Sequence, residues 1–285
     1  MRLLVRATNW VGDAIMALPA LRAVRARFRE AEIAILARPY VGELYRDQGV
    51  SDELIAYDSS GEQAGSRGRA RLAAELRARK FDLALLLQNA FDAAWLAWRA
   101  GIPERIGYAR DGRSLLLTRA VKVPRAGEIP GHEMFYYLEL LRRIGWIEQL
   151  PKEDAIPFEL TGASRQRGEE LLLGAGARRD TKRIALGAGA SFGAARCWPA
   201  ERFAEAANRL AAQSDADVVL LGTAGEAGVT RAIALKLQRP PVDLTGQTTI
   251  AELPGVLSRC HLFIGNDSGL MHVAAAVGIP VVGID

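Results

Sequence analysis

GNDSGLMHVAAAVGIPVVGID, residues 265–285, holds the parts of an α/β unit in order. HLFIGND (261–267) reads as a buried strand, SGLMHVAAAVG (268–278) as a small-residue helix and PVVGID (280–285) as the next strand. The turn from Gly265 to Gly269 therefore falls at the carboxyl end of a strand and the amino end of a helix. Open parallel sheets bind their ligands at that edge. A helix N-terminus there offers unpaired N–H groups and partial positive charge, both suited to a phosphate. Gly269 has no side chain to obstruct a ligand. Asp267 and Ser268 each suit the N-cap position, a reading that needs no ligand. His272 follows Ser268 by four residues and Gly269 by three, so it shares their helix face. It is open to two readings, a packed histidine or a group aimed at the same site.

The same rhythm runs back through the chain. Apolar runs at 2–7, 32–38, 53–58 and 81–88 read as strands, with shorter ones at 104–109 and 120–124. Amphipathic stretches at 12–28, 40–47, 69–80, 91–101 and 132–145 read as the helices between and after them. QLPKEDAIPFEL (149–160) interrupts with two prolines and a charge cluster, as an interdomain linker would. Strands then recur at 182–189, 216–222, 241–246 and 261–267, and helices at 199–213, 227–237 and 250–259. Alternating strands and helices predict parallel sheets with helices on both faces. The fold class is α/β, with two Rossmann-like domains, 1–150 and 156–285, facing one another across a cleft.

Composition narrows the setting. Of 285 residues, 49% are hydrophobic and 25% charged, as in ordinary globular chains. Two cysteines, Cys197 and Cys260, make no disulfide framework and suit a reducing compartment. MRLLVRATNW does not read as a signal peptide. No stretch approaches the ~20 uninterrupted apolar residues of a membrane span. The net charge of +4 is uneven, with +5 in residues 1–150 and −1 in the remainder. The first half suits an acidic partner, or simply carries solvated, arginine-rich helix faces. RAVRARFR (22–29) matches no nucleic-acid motif, and no nucleic-acid partner is expected.

Three further loops sit at strand ends. TNWVGDAIMALPAL places Asp13 in the first turn of a helix, where it is either a dipole partner or a ligand-edge group. G-x-G-x-x-G spacing is absent there, which argues against a dinucleotide. GAGASFGAARCWP (187–199) supplies a glycine-rich path with Ser191 as a donor and Arg196 as a charged fork, without the Walker pattern. GTAGEAG (222–228) carries Glu226, which either starts a helix or accepts hydrogen bonds from a ribose diol. His132, His261 and His272 lack metal-ligand spacing, and no G-x-S-x-G elbow occurs.

Together these stretches resemble glycosyltransferase family 9, the ADP-heptose:lipopolysaccharide heptosyltransferases. The resemblance rests on NWVGDAIMALPALRAVR, AGIPERIGYARDGRSLLLT, HEMFYYLELL, ASFGAARCWP and GNDSGLMHVAAAVGIPVVGI. VGD, ASFGAARCWP and NDSGLMH are closer to the second heptosyltransferase branch than to the first. The resemblance implies a GT-B fold, an ADP-sugar donor, inversion at the anomeric carbon and no required metal or other cofactor. It implies an acceptor-side first domain and an ADP-sugar-binding second domain. Carried over by position, Asp13 is the base, and Ser191, Arg196, Ser268, Gly269 and His272 surround the pyrophosphate. Glu226 holds the ribose, Thr248 lies by the adenine and Asp267 contacts the donor sugar. The expected partners are ADP-heptose and a lipopolysaccharide core acceptor lipid, met in the cytoplasm with peripheral contact at the inner face of the inner membrane. Arg110 and Arg113 in YARDGRS are open to two readings, contacts for acidic groups on the acceptor or solvated loop residues. Family members usually carry lysine where this chain has Arg196. They also continue beyond the position of Asp285, so the second domain is expected to be C-terminally truncated. A nucleotide-sugar-binding fragment without turnover and a GT-B sugar epimerase are the alternative functions.

Overall fold

The computed structural model describes residues 1–189 and 198–284. It divides into two compact units, Met1–Ile156 and Pro157–Asp285. Six short strands form the sheet of the first unit: β1 (Arg2–Arg6), β2 (Glu32–Ala37), β3 (Glu53–Ala56), β4 (Leu83–Leu86), β5 (Glu104–Tyr108) and β6 (Arg119–Val121). All pair in parallel, in the order β3-β2-β1-β4-β5-β6. The helices are α1 (Val11–Arg27), α2 (Pro39–Gly42), α3 (Gly65–Ala78), α4 (Phe91–Arg99) and α5 (Met134–Arg143). Helices cover both faces, so the strands beneath them are mostly apolar; every residue of β4, LALL, is buried. The strand order reverses between β1 and β4, and a ligand crevice belongs outside their carboxyl ends.

The second unit begins with α6 (Gly162–Gly174) and continues β7 (Arg183–Gly187), α7 (Ala200–Ser214), β8 (Asp217–Leu221), α8 (Ala227–Ala234), β9 (Val242–Asp243), α9 (Leu253–Leu257), β10 (Leu262–Asn266), α10 (Gly269–Ala276) and β11 (Val281–Ile284). Its parallel sheet runs β11-β10-β7-β8-β9. The reversal lies between β7 and β10, so here the crevice belongs outside Gly187 and Asn266.

Several elements differ from the sequence expectation. The helix expected over 40–47 is one turn, Pro39–Gly42, followed by a 3-10 turn at Glu43–Tyr45. The helix expected over 250–259 contracts to Leu253–Leu257, because Pro254 fits only in a first turn. Helix α6 was not expected. Thr161 caps it by accepting a 3.0 Å bond from the Ser164 N–H, but Gly162, Gly168 and Gly174 dilute its helical signal. Gly168 has a packing role: a Cβ there would lie 2.2 Å from the Gly255 carbonyl carbon of α9. Among the described residues no helix is long and apolar enough to cross a membrane.

Candidate functional site

At the second unit's reversal point the row of registered residues is Gly187 in β7, Gly265 in β10 and Gly283 in β11. A Cβ on Gly187 would lie 2.6 Å from the Phe263 ring, one on Gly265 2.6 Å from the Gly187 carbonyl oxygen, and one on Gly283 2.8 Å from Met271 Sδ. The missing side chains leave room for the fully buried Phe263 and let α10 lie close against the sheet. Its first turn thereby sits at the carboxyl edge. Ser268 holds the N-cap position in an extended conformation, yet its side chain makes no capping bond. Its Oγ is buried and has no hydrogen-bond partner among the described residues. The side-chain cap that the no-ligand reading requires is therefore not made by Ser268, and the turn keeps its positive end.

His272 stands one turn into α10, its Nε2 3.6 Å from Asp267 Oδ1. The Asp267 side chain is exposed, while its backbone N–H is held by the Ile284 carbonyl at 3.1 Å. The structure thus gathers Asp267, Ser268, Gly269 and His272 at one turn. Glu226 satisfies the helix-start reading, since its Oε2 accepts from the Thr223 N–H at 2.6 Å and the Thr223 hydroxyl at 3.0 Å. It also leans over the β7 loop, where a Cβ on Gly189 would fall 1.6 Å from its Oε1. Thr248, half-buried, follows β9 in a loop tied to that of β8 by a 2.8 Å bond from the Gly246 N–H to the Gly222 carbonyl. Ser191 and Arg196 lie outside the described residues.

Asn266 went unassigned in the sequence, though a polar residue ending an apolar strand is itself a signal. It is 1% exposed. Its Nδ2 donates to the Ala188 carbonyl at 2.7 Å, and its Oδ1 accepts from the Trp198 N–H at 3.1 Å. One amide therefore ties both flanks of the 190–197 segment to β10.

In the first unit, Asp13 sits half-buried in the first turn of α1, immediately beyond β1 at the reversal point. Helix α5 packs along α1. Phe28 and Trp146, each just past its helix, meet edge-to-face at 4.8 Å, so the two helices run parallel with their N-termini at one end. Glu133 immediately precedes α5. Burial, and then the Asp13 carboxylate, hold its carboxyl above the usual range, while Arg110 opposes them. Glu133 is a second carboxylate of this edge that the sequence left without a role. Arg110 is exposed, and its hydrogen bond with Tyr136 favours its charged form.

Arg113 corrects both sequence readings, because its side chain meets neither solvent nor an acceptor-facing surface. It is 0% exposed. It donates through Nε to the Tyr108 carbonyl at 3.0 Å, through Nη1 to the Gln88 carbonyl and through Nη2 to Asn89 Oδ1 at 2.9 Å. Burial pushes its pKa down to about 10, which still leaves it charged at neutral pH. A guanidinium fork suits these divergent acceptors better than water would in so closed a turn. Arg113→Met is expected to destabilise the protein by about 2–3 kcal/mol through the stranded acceptors. A urea titration with an unchanged midpoint would contradict this.

Two Rossmann-like units in one chain, each with polar loops gathered where its strand order reverses, make this a GT-B protein. The chain belongs to glycosyltransferase family 9 (heptosyltransferase), whose description matches residues 69–284. It is 29% identical to lipopolysaccharide heptosyltransferase 2 of Salmonella typhimurium over 290 aligned residues, spanning 100% of this chain and 82% of the relative. The structure of E. coli ADP-heptose lps heptosyltransferase II superposes with a TM-score of 0.82 at 26% identity, covering 99% of this chain and 84% of that one. A family 9 glycosyl transferase from Veillonella parvula shares the fold with a TM-score of 0.88 at 24% identity, covering 99% and 80%.

Proposed function

We propose that this protein is an inverting glycosyltransferase that moves a heptose from ADP-heptose to the lipopolysaccharide inner core. The observation that carries the reading is the first turn of α10, where Ser268 makes no side-chain cap and Asp267 and His272 flank the positive end. Relatives spanning the whole chain are heptosyltransferases of lipopolysaccharide, and one solved relative is described by its ADP-heptose donor.

In this reading the acceptor hydroxyl oxygen forms a bond to the anomeric carbon as the bond from that carbon to the pyrophosphate oxygen breaks. Asp13 takes the hydroxyl proton, and ADP leaves with the electron pair. The dipole of α1 favours the ionised carboxylate, making Asp13 a weak base. That suffices, because the hydroxyl becomes acidic only as its bond to carbon forms. The α10 N-terminus, His272 and Ser268 receive the growing charge on the pyrophosphate, joined by Ser191 and Arg196 from the sequence. Glu226 keeps Oε1 for the ribose, Thr248 lies by the adenine and Asp267 meets the heptose. No metal or other cofactor is assigned a step. Arg110 and the net +5 of the first 150 residues attract the acidic acceptor and support peripheral contact at the cytoplasmic face of the inner membrane.

The test is turnover of ADP-heptose with a core acceptor, together with ADP calorimetry on His272→Ala. Loss of its hydrogen bond should weaken ADP by about 1.5–3 kcal/mol, with thermal stability retained. Unchanged ADP affinity with lowered stability would make His272 a packing residue and misplace the phosphate site.

A further inference from the structure

We propose that Arg6 is a positioning residue for the transfer reaction, a buried cation that sets the loop of residues 7–10 and, through it, the place of Asp13. The inference rests on the reading of Asp13 as the base.

Arg6 ends β1 at the reversal point of the first sheet, and it is 3% exposed. A charge in such a place is unfavourable unless its surroundings compensate it, and an aliphatic residue would fill the space without that penalty. Burial pushes its pKa down to about 10, so the group stays charged at neutral pH. Yet among the described residues no carboxylate bonds to it. Asp92 is reached only by way of Tyr57, whose ring lies 5.1 Å from the guanidinium and whose hydroxyl donates to Asp92 at 2.5 Å. Asp92 itself pairs with Arg69 at 3.3 Å.

Two of the guanidinium nitrogens donate instead to the loop that leads into α1 and to the end of β2, while Nε is buried without a partner among the described residues. Nη1 reaches the Ala7 carbonyl at 2.5 Å and the Leu36 carbonyl at 3.3 Å, and Nη2 reaches Asn9 Oδ1 at 2.8 Å. Leu36 also accepts the Ala7 N–H at 3.0 Å, so the fork and the backbone bind the loop's start to the end of β2. From the other side, the Tyr40 hydroxyl donates to the Asn9 carbonyl at 2.7 Å. Asn9 is thus gripped by its side chain and its backbone at once. Trp10 follows, and its carbonyl accepts the Ala14 N–H at 2.9 Å as the first bond of α1. Asp13 lies within that turn. With the chain fixed at Asn9, one residue before the N-cap of a rigid helix, the carboxylate has little freedom left. Reactions between held groups are sensitive to such placement, and a shift of about 1 Å can lower rates by up to about 100-fold.

The experiment uses the full chain, with transfer measured at saturating donor and acceptor, ADP affinity by calorimetry, and hydrogen exchange of the segment 7–14. Asn9→Ala removes the loop's grip and leaves Arg6 in place. It should lower kcat about tenfold and speed exchange in 7–14, with ADP affinity and thermal midpoint unchanged. Asn9→Asp retains the oxygen acceptor and should recover most of the turnover and the slow exchange. Arg6→Lys keeps the charge without the fork and should behave as Asn9→Ala does. Wild-type kcat and exchange in Asn9→Ala would overturn the proposal. So would a fall in thermal midpoint shared equally by Asn9→Ala and Asn9→Asp, which would mark a purely structural contact. Asp13→Asn separates the two ideas. Full turnover there sinks the base assignment, whereas lost turnover there beside an unaffected Asn9→Ala sinks only the positioning role.

Discussion

Asp13→Asn is expected to lower transfer by about 10²–10⁴-fold, the range typical when a general base is removed, while ADP binding is unchanged. The amide is nearly the same size as the carboxylate and can still sit in the first turn of α1, so folding should survive. It cannot take a proton. The groups assigned to ADP come from the loops after β7 through β10, in the other unit, so donor affinity gives a control within the same sample. Glu133 sharpens the test. Burial, and then the Asp13 charge, hold Glu133 above its usual range, and removing the Asp13 charge should lower it part of the way. A variant that retains near-normal turnover would reduce Asp13 to a residue that favours the start of a helix.

Phe263→Ala should destabilise the second unit by about 3–5 kcal/mol, as large-to-small changes at fully buried aromatic positions do. The ring occupies the space left by Gly187 and Gly265, and no neighbouring side chain at those positions can move in to fill it. Backbone carbonyls and the base of α10 would line the resulting cavity. The expected result is a urea midpoint well below that of the parent protein. An unchanged midpoint would show that α10 collapses onto the sheet without the ring.

Much of the architecture was legible because parallel strands covered on both faces are nearly continuous apolar runs. EIAILA and LALL can hardly be read otherwise. Strand order was not legible, since the pairing of β1 with β4 depends on contacts across some eighty positions that no local pattern encodes. Helix α6 escaped notice because three glycines dilute its helical signal, one of them, Gly168, serving the crossing with α9. The strand-end loops of the second unit could be placed from the strand-to-helix rhythm alone, as with the turn around Ser268. The wiring beneath them could not. Arg113 lies in a D-G-R-S turn that reads as solvent-facing, and only the three-dimensional path shows its fork closed over carbonyls. Arg6 hides in the same way, as a charge closing a strand whose middle is apolar. Asn266 shows the converse, a polar strand end whose partners are 78 and 68 positions away.

The row of glycines under α10 makes its first turn inherit its height from atoms that are not there. A methyl at position 283 would press on Met271 of the helix, and one at 187 or 265 would press on the Phe263 ring beneath it. Drift at three codons is therefore closed together, and a compensating change would have to arrive at Met271 for position 283 and at Phe263 for position 187. A laboratory lineage evolved for a different leaving group is expected to find its gains in the surrounding loops, with this row left as it is.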